Sequence, residues 1–235
     1  MDSQAALMIV DRIFQLVFDQ PNCYNLDELF SKLAKDMRLP HPVRETMTGD
    51  QTWSIAGPGQ KFIKQQNVST FEQKEGWMRP NRSAENIKID EIMNIWSKIN
   101  LISTERHFDS INVARSDPTY ACENAWQCAD CHGCRNIVYA EGCIDSEFLV
   151  ASARSANCNF CIKADDSNGC SNSYNIIYSS KIINSLFIQD CYDLYECMFC
   201  AHISSRKYCI GNTEFSQSEY NKLKPLIINH ILENL

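Results

Sequence analysis

Long apolar runs are missing from this chain, and no stretch approaches the roughly 18 residues needed to cross a bilayer. Runs of lysine or arginine are missing too. With 22 basic residues against 29 acidic ones and a net charge of −7, nothing here could neutralise a row of phosphates. Nucleic acid is therefore excluded as an expected partner, and a membrane with it. The opening Met1-Asp2-Ser3-Gln4 is acidic, and Asp11 and Arg12 interrupt the apolar residues behind it, which argues against a secretory signal. The expected setting is cytoplasmic or virion.

What is plentiful is cysteine, at 13 residues. Without a signal segment, metal sites or simple burial are expected ahead of a disulfide framework. An odd count would leave one thiol over in any pairing scheme.

Residues 1–104 read as a helical and irregular N-terminal region. Ala5, Ala6, Met8, Ile9, Ile13, Leu16 and Val17 recur at helical spacing. Asn25 with Glu28 forms a capping-box pattern that opens a second helix, ending near Arg38 ahead of Pro40 and Pro42. Residues 41–86 carry Trp53, Phe62, Phe71 and Trp77 among scattered Gly, Pro and Gln, and predict an ordered but irregular connector. Ile92, Ile95, Trp96 and Ile99 mark a short helix. At the far end, residues 213–235, Ser216 and Glu219 make a second capping box. Pro225 should kink or split the helix that follows.

Between them, residues 105–212 repeat with a period of three. Every third residue from Ser110 to Ile203 is Ser, Thr, Cys, Ala, Val, Ile or Leu, over 32 positions. All twelve cysteines after Cys23 fall in this phase, Cys209 included. The position before each is often Asn, Asp or Gly, residue types that tolerate left-handed backbone and serve corners. A helix repeats every 3.6 residues and a strand every 2, so a sustained period of three fits neither. Glycine is absent from the phase, which excludes a collagen-like bundle. A coiled, stacked architecture with a narrow lumen remains, lined by small side chains. Turns of 12, 15 or 18 residues would all keep the phase. The expected fold is α+β: a narrow C-terminal β-solenoid, a helical N-terminal region and a C-terminal capping helix.

The Asn/Asp-before-small-residue habit is distantly similar to pentapeptide-repeat and hexapeptide β-helix proteins, whose interior residues are spaced unevenly. Acyltransferase activity is not carried over from them. Cys197-Met198-Phe199-Cys200, Tyr208-Cys209-Ile210-Gly211-Asn212 and Phe215-Ser216 with Glu219-Tyr220 more closely resemble a cysteine-rich triplet-repeat family of uncultured bacteria and phages. That resemblance covers roughly the second half of the chain. It implies the fold, and a phage structural role, without an activity.

Three functional readings follow. The first is a non-enzymatic structural or assembly protein whose solenoid shows large apolar groups to a protein partner or to further copies of itself. Trp126, Tyr174, Tyr192 and Tyr195 are the candidates, because they lie off the interior phase. The second is a metal- or cluster-binding protein. C-x-x-C pairs would signal zinc, and Cys122, Cys128, Cys131 and Cys134 are the densest group, yet a triplet repeat produces such pairs wherever neighbouring slots hold cysteine. No cofactor is the preferred expectation. The third reading is an enzyme sited where residues 41–86 meet the solenoid, with His107, His132 or His202 as base; inward thiols make poor nucleophiles. Gly57-Pro58-Gly59-Gln60-Lys61 lacks phosphate-loop spacing and reads as a turn.

Overall fold

The computed structural model describes residues 1–57, 59–75 and 88–235, so Pro58 and Trp77 lie outside the described residues. Among the described residues, five α-helices accompany a long parallel β-coil: α1 (Ser3–Phe18), α2 (Leu26–Leu29), α3 (Val68–Glu75), α4 (Ile89–Ile99) and α5 (Gln217–Glu233). No described helix is long and apolar enough to cross a membrane.

The coil is a β-solenoid of about nine turns across residues 107–210. Its strands pair in parallel at a register of 12 residues, as in Ala125, Ile137, Leu149, Cys161 and Ser173. Each turn therefore holds four triplets and has four sides. The first side carries Cys122 and Cys134 inward, the second Ala125 and Ile137, the third Cys128 and Ala140, the fourth Cys131 and Cys143.

Corners make this turn possible. From Asp109 to Gly211, every residue preceding an interior position has positive φ, apart from Pro118. The left-handed residue reverses the chain locally once per triplet, which gives four bends per turn. Asn, Asp and Gly do this cheaply, as the sequence suggests. Tyr139, Phe148, Phe160, Lys163, Phe187 and Phe199 do it too, although a left-handed non-glycine residue costs about 1–2 kcal/mol. Stacking offsets part of that cost. Phe148 and Phe160 lie 4.7 Å apart at 16°, and Phe187 and Phe199 lie 4.8 Å apart at 15°, one turn above the other. On the second side's corner, amides do the same work: Asn112 Nδ2 donates to Asn124 Oδ1 at 2.6 Å, and Asn124 Nδ2 to Asn136 Oδ1 at 2.9 Å.

The lumen core and the outer core are separate. Inward residues from Cys122 to Cys209 form one buried cluster. The outward residues of the second side, Trp126, Val138, Val150, Ile162, Tyr174, Leu186 and Met198, form another with α1 and with Tyr220, Ile228 and Ile231 of α5. Both terminal helices thus lie along a single face. Arg12 reaches over the Phe148 ring at 4.6 Å to the centroid.

Both capping boxes form as expected, at Asn25 with Glu28 and at Ser216 with Glu219. Two expectations are corrected. Helix α5 is not split at Pro225, because packing on the solenoid outweighs the one hydrogen bond that proline cannot donate. The second helix is only one α-turn before it widens into a π-turn at Phe30–Ala34. The segment expected to be irregular holds short strands: an antiparallel pair, β1 (His41–Arg44) and β2 (Gln51–Ser54), then β3 (Phe62–Lys64), parallel to β4 (Ile102–Thr104). These lead into the first solenoid strands, β5 (His107–Phe108) and β6 (Ile111–Ala114).

The corner geometry predicts a split outcome at Asn124, where φ is +56°. Asn124→Val should lose about 2 kcal/mol in denaturant unfolding, since a β-branched residue is strained there. Asn124→Gly, which keeps the backbone and loses only the amide ladder, should lose about 1 kcal/mol or less.

Candidate functional site

Two candidate sites were legible as residue patterns, the inward thiols and the outward aromatics, and the turn geometry separates them completely. The thiols answer a backbone problem. In each triplet, two N–H groups join the parallel ladder; the N–H of Ile111 donates to Cys122 O at 2.9 Å, and that of Gln127 to Ala114 O at 2.9 Å. The third, on the interior residue itself, faces the lumen. At eight positions it finds a side chain one turn back, seven times a serine and once a cysteine: Cys128 N–H donates to Ser116 Oγ at 2.9 Å, Cys191 to Ser179 Oγ at 3.0 Å, and Ala140 to Cys128 Sγ at 3.4 Å. Unmet, such a buried donor would cost about 1–3 kcal/mol.

The same side chains also donate. Cys128 Sγ lies 3.2 Å from Trp126 O, Cys134 Sγ 2.9 Å from Cys143 O, and Ser155 Oγ 2.8 Å from Ala164 O. Serine and cysteine are both small enough for this lumen and able to serve it in both directions.

Cys122, Cys128, Cys131 and Cys134, proposed from spacing as a ligand set, lie buried on three different sides of the coil. Among the described residues, no three His, Cys, Asp or Glu groups converge as a metal ion requires. All four occupy lumen positions. The two C-x-x-C pairs at Cys128/Cys131 and Cys131/Cys134 arise because adjacent sides of one turn both carry thiols.

The lumen also controls thiol chemistry. Burial pushes the Cys191 and Cys209 thiols up. S–H contact with Cys128, then with Cys134 and Cys143, raises Cys131 further; contact with Cys158 and burial do the same to Cys161. A first negative charge would settle on Cys134 or Cys158, each lowered by S–H donation from two neighbouring thiols while those donors rise. All twelve in-phase thiols are buried and unpaired, and Cys23 alone is exposed.

The outward candidates divide. Trp126 and Tyr174 are 4% and 5% exposed beneath the terminal helices, and are corrected from partner contacts to internal packing. Phe18 meets the Tyr174 ring edge-on at 5.3 Å, and Arg115 lies over Trp126 at 4.4 Å. Tyr192 and Tyr195 stand exposed, on the fourth and first sides, which no helix covers in the described cores. Tyr178 at a fourth-side corner is 59% exposed, Ile183 neighbours Tyr195 in register, and Lys181 caps the Tyr192 ring at 4.9 Å. Tyr178, Ser180, Asp190, Tyr192 and His202 border an open groove of about 540 Å³. Higher on the fourth side, Phe108, Tyr120 and His132 stack at 5.1 and 4.5 Å, so this ladder presents ring edges in a row.

Among its described residues, the junction considered for an enzyme holds structural bonds. Thr52 Oγ1 meets Thr104 Oγ1 at 2.6 Å, and the buried Asp117 carboxylate holds Arg106 through Nε at 2.9 Å. Burial alone would raise the Glu45 carboxyl, but the Asn67 amide, the Lys64 N–H and the Thr48 hydroxyl bring it below the usual range. His107 Nε2 is engaged at 2.9 Å by Ser116 O, and His132 and His202 are exposed on the fourth side and its corner.

These features define a class: a four-sided, 12-residue-per-turn β-solenoid with a thiol and hydroxyl lumen and a helix-covered face. Compared with protein-family models, curated proteins and solved structures, the chain matches none.

Two predictions follow from the lumen. A thiol-specific chromogenic reagent should label Cys23 alone in the native protein and all 13 cysteines in denaturant; rapid native labelling of several more would contradict a closed lumen. The raised thiols also set a pH dependence. The unfolded chain releases the Cys191 and Cys209 protons near pH 8.5 while burial in the native lumen retains them, so the stability these two contribute should fall as pH rises above about 8.5. Denaturant midpoints on either side of that pH, under reducing conditions, measure it.

Proposed function

We propose that this protein is a non-enzymatic structural or assembly component, which presents the first and fourth sides of a rigid solenoid to a protein partner. The observation that carries the reading is the division of the outward apolar residues. One side's worth is consumed by the protein's own helices, yet Tyr178, Ile183, Tyr192 and Tyr195 remain together on the uncovered sides. Tyrosine and isoleucine on a flat parallel ladder supply contact area at low conformational cost, because corners and lumen already fix the backbone. The inward thiols serve this role as packing. Given the resemblance to phage-associated triplet-repeat sequences, a virion is the first assembly to examine.

The test is a paired surface substitution. Tyr192→Ala with Tyr195→Ala should leave the unfolding midpoint nearly unchanged, since both side chains are exposed, and should weaken capture of the partner at least tenfold. The comparison substitutions, Glu123→Ala and Glu147→Ala on the first side far from the patch, should leave capture intact. Equal capture by the tyrosine double variant and the native protein would count against this face.

A further inference from the structure

A parallel coil has two ends, and each end is an open sheet edge unless something closes it. At the C-terminal end, two sides are closed by the chain itself. Strand Cys209–Ile210 pairs antiparallel with Thr213–Glu214 on the second side. On the third, the Asn212 amide takes up both Ala201 groups, accepting from the N–H at 3.0 Å and donating to the carbonyl at 2.9 Å. The fourth and first sides end in strand Ser204–Lys207, which pairs among the described residues only with Tyr192–Tyr195 beneath it. All four of its residues are exposed.

The N-terminal end leaves the same two sides open. Strands β5 and β6 pair only with the next turn among the described residues, and Phe108 and Ile111 are 41% and 70% exposed. At a register of 12, a turn added after Ser204–Lys207 would occupy positions that Phe108–Ile111 fill in the first turn. One copy's last strand is therefore in phase with another copy's first, with the same period, side and direction.

One residue breaks that match. Arg206 stands in the interior phase, in register with Leu194 and continuing the inward column Ser110, Cys122, Cys134, Ser146, Cys158, Cys170, Ile182 and Leu194. It is the first charged residue in that phase after Ser110. Its side chain is exposed, with no described residue stacked on it, and Nη1 turns back to Ser205 O at 3.4 Å. A second copy placed on this edge would trap the charge against Ser110 and the neighbouring thiols, with no carboxylate in the lumen to pair with it.

We infer that Arg206 is an edge guard: its inward-phase charge keeps strand Ser204–Lys207 from pairing head to tail with the β5–β6 edge of another copy of this chain. A heterologous contact of this kind does not close on itself, so without the guard it would propagate into filaments. The guard confines association to the solenoid's sides and leaves its ends inert.

Light scattering over a hundredfold concentration range tests this with the full chain. Native protein and Arg206→Lys should each keep a constant mass. Arg206→Leu, which restores the column, should grow with concentration to at least twice the native mass. Adding Ile111→Lys to Arg206→Leu should return the native mass, because it places a charge on the opposing edge. Should Arg206→Leu fail to fold, Arg206→Ser carries the same expectation. A folded neutral variant that keeps the native mass throughout would overturn the inference, as would growth that Ile111→Lys leaves untouched.

Discussion

The structure depends on one arrangement of backbone hydrogen bonds. When a chain bends through a left-handed residue once per triplet, two of every three N–H groups join the ladder between turns and the third faces the axis. A lumen this narrow has no room for water to meet that donor, and a hydrocarbon lining alone would leave it unpaired. Serine at the inward position, and cysteine at Cys128, receive that N–H from the next turn, and both residue types offer their own proton to a nearby carbonyl. The chemical quietness of the cysteines follows from their burial at the inward position.

The rest of the molecule adapts to the rod so formed. A coil of four equal sides has no intrinsic inside beyond its lumen, so the outward residues decide which side becomes a second core. The second side is apolar from Trp126 to Met198, and α1 and α5 lie along it. The first and fourth sides alternate charge, hydroxyl and ring, with Glu123, Arg135 and Glu147 in ion-pair reach of one another. Exposed pairs like these add little to stability.

Much of the fold was legible because it is written with a fixed step. The phase that runs through Ser110, Cys122 and Ile137 is visible without coordinates, as are the two capping boxes that start the helices. The corner residues were half legible. Asn112, Asn124 and Asn136 announce left-handed backbone, whereas Phe148, Phe160 and Phe187 adopt it against their own preference, held by the ring one turn away. A single sequence position carries no sign of that partner until the turn length is known. The same gap explains Trp126 and Tyr174: being off the interior phase marks them as outward, but only the four-sided turn says that they share a side with Val138 and Ile162.

The amino-acid sequence by itself determined the period, the inward set and the left-handed habit of the corners, because each is a property of neighbouring residues. It also held the break at Arg206. Only the tertiary structure decided that a turn takes four triplets, which side the helices cover and which tyrosines stay exposed. Those outcomes rest on contacts between residues 12 apart and farther, whose geometry no local pattern contains.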